Sequence, residues 1–350
     1  MLMINGSELT HMLTIGNKNE LADIITHYAL APQAEREALY NAALEQRRIY
    51  YGDKVFFRGL IEFSSYCKND CYYCGIRRSN KEAQRYRLSA DEILECCKQG
   101  YDLGFRTFVL QSGEDPYYTD DLLCSLIAEI RKQYPECAIT LSLGEKSEES
   151  YRRYFLAGAN RYLLRHETAS EAHYRRLHPE SMSLANRKQC LYTLKEIGFQ
   201  VGAGFMVESP YQTFDDLASD LIFLRELQPH MVGIGPFIPH KDTVFSGEKT
   251  PAADLTLIML ALVRLMLPKV LLPSTTALGT INPTGRESGL KAGANVVMPN
   301  LSPVKHRKDY SLYDNKICTG EEAAECLSCL SGRIRSAGFE PDFSRGDCIM

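Results

Sequence analysis

Short apolar runs rich in β-branched and aromatic residues recur along the chain from Val55 onward, and segments with helical periodicity separate them. This alternation is typical of parallel strands that are joined by right-handed helical crossovers. The eight runs are Val55–Phe63, Phe105–Gln111, Ala138–Leu143, Arg161–Leu164, Gln200–Val207, Met231–Ile238, Val270–Pro273 and Ala294–Met298.

Eight strand–helix units in about 250 residues predict an α/β fold, a (β/α)8 barrel of the TIM type. An open doubly wound sheet is the rival arrangement. Residues 18 to 50 carry helical periodicity without strand patterns, which predicts two helices ahead of the barrel. We therefore expect a short helical N-terminal extension over residues 1–50, the barrel over 51–304 and a C-terminal segment over 305–350.

The charge of the chain excludes several classes of partner. Its 350 residues include 40 Lys and Arg against 44 Asp and Glu, which gives a formal net charge of −4. This balance provides no general attraction for nucleic acid or an anionic membrane, and no apolar run reaches the roughly 18 residues that span a bilayer. The segment from Met1 to His11 lacks the features of a signal peptide. We therefore expect a cytoplasmic protein.

Three of the twelve cysteines form a tight cluster directly after the first run. Cys67, Cys71 and Cys74 have the spacing C-x3-C-x2-C. A structural zinc site prefers four ligands, whereas an iron–sulfur cube can take three thiolates and leave one iron open to the amino and carboxylate groups of a ligand. The spacing thus favours a cube, and a zinc site with a distant fourth ligand or three unrelated buried thiols are the alternatives.

A second cysteine cluster follows the last run. Cys318, Cys326 and Cys329 have the spacing C-x7-C-x2-C in a polar tail. They can hold an auxiliary [2Fe-2S] cluster with one outside ligand or a second [4Fe-4S] cube, and thiols without metal are the alternative.

The first cysteine motif, with an aromatic residue before its last cysteine, resembles that of the radical S-adenosylmethionine (SAM) superfamily. Within it, the chain resembles the HydE family, maturases of [FeFe]-hydrogenase, from about residue 20 to 320, and less well methylornithine synthase and biotin synthase. The segments that carry the resemblance are Cys67–Asn80 (CKNDCYYCGIRRSN), Phe108–Tyr118 (FVLQSGEDPYY), Thr140–Glu145 (TLSLGE), Arg161–Thr168 (RYLLRHET), Met231–His240 (MVGIGPFIPH), Pro273–Thr280 (PSTTALGT) and Ala294–Asn300 (ANVVMPN).

The resemblance implies a [4Fe-4S] cluster on the first three cysteines, SAM beside it, and a deeper pocket for a small anionic substrate. The implied cofactor-binding residues are Tyr73, Ser112, Gly113, Glu114, Glu167, Arg187, Met231 and Ile234. The implied substrate-binding residues are Arg161, Arg165, Thr275 and Thr276, and the implied catalytic pair is Tyr310 and Tyr313. Strand-end ion pairs, solvated side chains and packing aromatics are the structural alternatives for these positions.

The resemblance also implies the activity. A radical SAM enzyme reductively cleaves SAM to methionine and a 5′-deoxyadenosyl radical. A HydE-like maturase acts on an iron–cysteine organometallic precursor of the diiron subcluster of the hydrogenase H-cluster, with the maturases HydG and HydF and an electron donor as partners. The alternatives are a radical SAM mutase such as methylornithine synthase, and an iron–sulfur carrier that does not use SAM.

The chain departs from the family at one loop. The family often has Gly-x-Pro-Gly-Gln-Thr after the fifth strand, and here the stretch is Glu208-Ser209-Pro210-Tyr211-Gln212-Thr213. Both glycine positions are changed, although glycine there permits a positive φ or a close backbone approach.

Overall fold

The computed structural model of the protein describes residues 6–320 and 323–349. In chain order the elements are α1 (Gly6–Ile15), α2 (Lys18–Leu30), α3 (Gln33–Tyr51), β1 (Lys54–Phe57), β2 (Gly59–Ser64), α4 (Ala90–Asp102), β3 (Thr107–Ser112), α5 (Asp120–Gln133), β4 (Ala138–Ser142), α6 (Glu148–Leu156), β5 (Arg161–Leu163), α7 (Glu171–Leu177), α8 (Leu184–Ile197), β6 (Gln200–Val207), α9 (Phe214–Leu227), β7 (Met231–Pro236), α10 (Asp254–Met266), α11 (Thr276–Ile281), α12 (Gly285–Lys291), β8 (Val296–Val297), α13 (Val304–Arg307), α14 (Ala323–Ser336) and β9 (Glu340–Asp342).

The strands pair in parallel around a ring. β2 to β7 form one sheet in chain order, and β8 pairs with β1, which leads directly into β2. Single parallel bridges join β7 to Leu271 and Pro273 to β8. The pairing therefore returns to the strand from which it started, as the predicted barrel requires. The run Val270–Pro273 contributes only these bridges and no longer strand.

The helices predicted over residues 18 to 50 are present as α2 and α3, and α1 precedes them as a further helix within residues 1–50. They pack on α10, whose residues from Thr256 to Met266 are all buried. A helix that is apolar on nearly every side, as α10 is apart from Thr256 and Arg264, needs such cover. In the part of the chain that the structure describes, no helix is both long and apolar enough to cross a membrane.

The C-terminal residues close the end of the barrel at which the strands begin. β9 pairs in parallel with β1, and the chain then reaches Arg161, the first residue of β5. Arg161 Nη2 lies 2.5 Å from Asp347 Oδ1 and donates to the carbonyl oxygen of Arg345 at 2.7 Å. Because the Arg161 side chain is only 4% exposed, Asp347 supplies the countercharge that its burial requires.

We expect Asp347→Asn to lower the free energy of unfolding by about 2 kcal/mol, because a buried guanidinium loses its carboxylate partner. Although partial burial raises it, the guanidinium groups of Arg345 and Arg161 hold the pKa of Asp347 well below its ordinary value. The contribution of a carboxylate with a lowered pKa is present above its unfolded pKa and is lost as the pH falls. The difference between parent and variant should therefore shrink below about pH 4 in chemical denaturation.

Asp102→Asn is the matched control, since Asp102 forms an exposed pair with Lys98 on α4. Its effect should stay within about 0.5 kcal/mol. Equal and small effects of the two substitutions would contradict the role given to Asp347.

Candidate active site at the carboxyl ends of the strands

A cavity of about 280 Å³ lies at the carboxyl ends of the strands. The predicted site residues on its wall are Tyr73, Cys74, Arg165, Glu167, Thr275, Thr276, Tyr313 and Cys318. Residues that are separated by more than 200 positions in the sequence thus face one space. This end of the barrel is where barrel enzymes place their chemistry.

The three clustered cysteines lie in the loop between β2 and α4, which we call the cysteine loop (residues 65–89). Burial raises the pKa of all three thiols, that of Cys74 to about 12, and the mutual repulsion of thiolates raises the pKa of Cys71 and Cys74 further. Thiolates in such surroundings need nearby positive charge. A bound iron–sulfur cluster meets that requirement.

The cysteine geometry suits a cube better than a single ion. Among the described residues, no three His, Cys, Asp or Glu side chains converge on a point where one metal ion would sit. The thiolates of a four-iron cube lie on different sides of the cluster and are spaced more widely than the ligands of one ion. The donor set of three neighbouring, half-buried cysteines therefore fits a [4Fe-4S] cluster with one open iron.

The Ser112–Glu114 segment, at the end of β3, packs directly on the cysteine loop. A Cβ on Gly113 would lie 2.2 Å from the carbonyl oxygen of Tyr66, so only glycine fits there. The Glu114 N–H points at Cys67 Sγ at 3.4 Å, and the Ser112 hydroxyl donates to the Gly113 carbonyl at 2.7 Å. The segment thereby fixes the position of the first cysteine.

Two ion pairs lie beside the cysteines, and of their four residues Arg187 is buried and the other three are half-buried. Arg187 Nε is 2.7 Å from Glu145 Oε1, and Arg165 Nη2 is 3.1 Å from Glu167 Oε2. Although burial lowers it, the charge of Glu145 holds the pKa of Arg187 above its ordinary value. The guanidinium of Arg187 therefore stays charged at neutral pH.

Several buried polar atoms in this region have no aligned hydrogen bond within the described structure. They are Glu114 Oε2, Glu145 Oε1, Arg165 Nε and Nη2, Glu167 Oε2 and Arg187 Nε. All of them except Arg165 Nε lie at ion-pair distance from an opposite charge, but none makes a well-aligned hydrogen bond, and buried polar atoms normally do. A ligand with an ammonium group, a carboxylate and hydroxyls would supply partners for both the acidic and the basic atoms. SAM has all of these groups, so the residues present fit it.

The tyrosines occupy different positions. Tyr73 lies on the cavity wall, and its hydroxyl is 3.1 Å from His178 Nε2. Tyr313 also lines the cavity, and burial raises its pKa to about 12, which keeps its hydroxyl protonated at neutral pH. Tyr310 is buried and its hydroxyl is bonded to Gln111 at 3.4 Å, but it is not part of the cavity wall. Only Tyr313 of the predicted catalytic pair therefore lines the cavity.

Arg161 does not line this cavity, contrary to the prediction that pairs it with Arg165. Four residues of extended chain span about 13 Å, so the two guanidinium groups start from different levels of the barrel. Arg161 is held at the opposite end by Asp347.

Met231 and Ile234, predicted to bind the cofactor, are also away from the cavity. Met231 begins β7, and its sulfur lies 3.0 Å from Arg58 Nη1. Ile234 is part of the main hydrophobic core, because successive strand residues point to opposite faces. The residues of this segment that line the cavity are Gly235, Pro236, Phe237 and Ile238.

Sequence reasoning missed three charged residues of the wall. Lys316 Nζ lies 2.6 Å from Glu62 Oε1, and Arg286 donates to the Thr276 hydroxyl at 3.2 Å. Glu62 carried a usable signal, since a carboxylate inside an apolar strand run needs a special partner. Arg286 and Lys316 lie in helical and loop sequence without any such signal.

The second cysteine cluster is not assembled by the described residues. Cys318 lies on the cavity wall with its sulfur 3.7 Å from Arg286 Nη2, whereas Cys329 is exposed on α14. The side chain of Cys326 lies outside the described part of the structure. The auxiliary cluster therefore stays a prediction.

The loop that departs from the family keeps a glycine-like backbone. Glu208 has φ +58° and Tyr211 has φ +68°, both in the left-handed region that favours glycine. These are the two positions at which the family often has glycine. The loop geometry is thus retained with side chains that tolerate it less well.

Residues 61–224 match the family described as the Radical SAM superfamily. The crystal structure of methylornithine synthase (PylB) superposes with a TM-score of 0.81 at 27% identity, over 95% of this chain and 97% of that one. The 3-methylornithine synthase of Methanosarcina barkeri is 31% identical over 91% of this chain and 89% of its own length. These matches define the class as a radical SAM barrel.

The [FeFe] hydrogenase maturase subunit HydE of Thermotoga maritima is 50% identical over 305 residues, which is 87% of this chain and 87% of that protein. The chain belongs to the HydE family of the radical SAM superfamily. When both are bound, a [4Fe-4S] cluster would supply the electron that cleaves SAM to methionine and a 5′-deoxyadenosyl radical.

Replacing Cys67, Cys71 or Cys74 singly with Ala should abolish SAM cleavage, because two thiolates are too few to hold the cube with a free iron. Iron and sulfide content and the SAM-responsive EPR signal should fall with the activity. Cys124→Ala on α5 is the matched control, since it removes a half-buried thiol away from the site and should preserve all three measurements. A Cys71→Ala protein that cleaves SAM at the parent rate would disprove the cluster assignment.

Proposed function

We propose that this protein matures [FeFe]-hydrogenase by acting on a small anionic iron–cysteine organometallic precursor of the diiron subcluster. The 50% identity to a HydE maturase over most of both chains supports this function. The observation that supports an anionic substrate is a positive charge on the cavity wall that no ion pair balances. Arg286 reaches the cavity beside Thr275 and Thr276, and within the described residues it has no carboxylate at ion-pair distance.

The other two cations of the cavity wall are already balanced. Lys316 is paired with Glu62 at 2.6 Å, and Arg165 with Glu167 at 3.1 Å. Among the described cations of the wall, the guanidinium of Arg286 is therefore the one whose charge no carboxylate balances. This charge and the adjacent hydroxyls of Thr275 and Thr276 favour binding of a small anion, such as a carboxylate or a cyanide-bearing complex.

The remaining wall residues exclude water from the cavity and orient the substrate. Met206, Pro236 and Phe237 supply apolar surface that excludes water from the reacting groups. Tyr313 keeps its phenolic hydrogen at neutral pH, so it can donate to the substrate but cannot act as a base there. The proposed partners are SAM, the maturases HydG and HydF, and an electron donor.

A mutase of the methylornithine synthase type is the second candidate, because the matches to that enzyme in sequence and in fold cover nearly the whole chain. Its expected substrate is an amino acid with a positive side chain. The unbalanced charge of Arg286 disfavours such a substrate next to Thr276. Assay of lysine rearrangement distinguishes the two functions.

Thr276→Val should lower hydrogenase maturation about tenfold, because it removes the hydroxyl that holds Arg286 against the cavity. Cluster content and SAM cleavage should stay near the parent values. The measurement is hydrogenase activity in a reconstituted maturation system, with 5′-deoxyadenosine scored in parallel. Thr275 is a poorer target, since its hydroxyl caps α11 at the Leu278 N–H.

Thr284→Val is the control for this test, because Thr284 is exposed and its hydroxyl bonds only to Asn282 in the described structure. Full maturation by Thr276→Val would reject the anion pocket. A parallel loss of SAM cleavage would instead assign Thr276 to cofactor binding or folding.

We also propose that Cys318, Cys326 and Cys329 bind an auxiliary iron–sulfur cluster. The combined change Cys326→Ser and Cys329→Ser should lower the iron count and leave SAM cleavage intact, since Cys329 is exposed on α14 and is not part of the cavity wall. This pair spares Cys318, whose position on the cavity wall would confuse the result. An unchanged iron count would show that these thiols hold no metal.

A further inference from the structure

The cysteine loop presents a basic surface on a chain that is acidic overall. From Tyr66 to Arg87 it contains six Lys and Arg but only two Asp and Glu, whereas the whole chain has a net charge of −4. The exposed cations of this segment are Lys68, Arg78, Lys81 and Arg87. Two of them pair with carboxylates outside the segment, Lys68 with Glu114 at 3.2 Å and Arg87 with Asp115 at 2.7 Å, so the excess positive charge lies on Arg78 and Lys81. A local excess of positive charge attracts an acidic partner and orients its approach.

The backbone that displays these cations is fixed from within. The guanidinium of Arg85 donates to the carbonyl oxygens of Ser65, Ile76, Arg77 and Asn80. One side chain thus ties together both ends and the middle of the loop. A surface that is already ordered loses little conformational entropy when a partner binds.

An aromatic stack lies next to the basic residues. Arg87 Cζ lies over the rings of Tyr66 and Tyr117, at 3.8 and 4.7 Å from their centroids. The carboxylate of Asp115 forms an ion pair with Arg87, with Oδ2 2.7 Å from Nε. Tyr66 is 36% exposed and Tyr117 is 56% exposed. Tyrosine and arginine are the residue types that anchor protein interfaces, and charged groups usually form the rim.

This surface lies next to the cysteine cluster, on the outside of the cysteine loop. Tyr66 directly precedes Cys67, so this surface begins next to the first cysteine of the cluster. Cys74 faces the cavity, where Leu312 and Tyr313 form part of the wall. A macromolecule can therefore approach the cysteines from the exposed face of the loop, and the cavity serves the small reactants.

We propose that the surface formed by Tyr66, Lys68, Arg78, Lys81, Arg87 and Tyr117 docks an acidic one-electron carrier protein. The carrier is oxidised by one electron, which enters at the cysteine site and is consumed when the S–C bond of SAM breaks to give methionine and the 5′-deoxyadenosyl radical. This inference depends on the radical SAM class and is independent of the proposed maturase role.

The test is the charge reversal Arg78→Glu with Lys81→Glu, since both side chains are exposed and neither belongs to the cavity. The probe is an acidic two-iron ferredoxin. Calorimetric titration of the cluster-loaded enzyme with oxidised ferredoxin should show a Kd at least about tenfold weaker than that of the parent. The parent Kd should rise steeply with ionic strength, and the variant Kd should not.

SAM cleavage gives the second measurement. Cleavage driven by limiting reduced ferredoxin should fall by a factor similar to the loss of affinity, while cleavage driven by dithionite should match the parent. The control reverses Lys98 and Lys132 to Glu, two exposed residues near the carboxyl ends of α4 and α5, and should change neither measurement. Tyr117→Ala should weaken ferredoxin binding and keep the salt dependence, because it removes an anchor without changing charge.

Two results would overturn the proposal. An unchanged ferredoxin Kd in the Arg78→Glu, Lys81→Glu protein would show that the surface does not receive the carrier, even if the variant bound another maturation protein less well. An equal loss with ferredoxin and dithionite would place the defect in the cluster site itself.

Discussion

Removal of water from charged and sulfur-bearing groups at one end of the barrel gives the site its chemical character. Burial raises the pKa of the three cysteine thiols and leaves Arg165–Glu167 and Arg187–Glu145 as close pairs in a region of low polarity. Electrostatic interactions are stronger there than in water, and an unsatisfied polar atom is correspondingly expensive. Such a set of groups is most stable when charged cofactors complete it.

The same region contains backbone conformations that only the surrounding structure can impose. Glu167, Glu208 and Tyr211, all close after β5 or β6, have positive φ, and each costs on the order of 1 kcal/mol or more. Glu167 is held because its N–H donates to Gly204 at 3.0 Å and its carbonyl accepts from Met206 at 3.1 Å. The bonds to β6 thus turn the Glu167 side chain toward Arg165. Strain of this kind is typical of functional sites and is seldom kept elsewhere.

The fold was largely predictable because its signals are local. Strand runs and their alternation with helices can be read from short windows, and the carboxyl ends of parallel strands must meet at one end of the barrel. Residues placed by those ends, such as Glu167 and Thr275, lie on the cavity wall, and their roles stay predictions. Arg161 and Met231 were misplaced because they begin their strands, and the sequence pattern does not show at which level of a barrel a side chain lies. Lys316 was missed because its position depends on a pairing with Glu62 across 254 residues.

The C-terminal residues have a larger part in the barrel than their weak sequence patterns indicate. Residues 312 to 318 form part of the cavity wall and are tied to β2 through Lys316 and Glu62. About twenty-five residues later, β9 pairs with the start of β1, and Asp347 neutralises Arg161 at the other end. One stretch of chain therefore helps to close both ends of the barrel. A carbon radical reacts readily with solvent and other molecules that enter the barrel. The chemistry therefore requires a barrel that is closed at both ends as well as the cysteines.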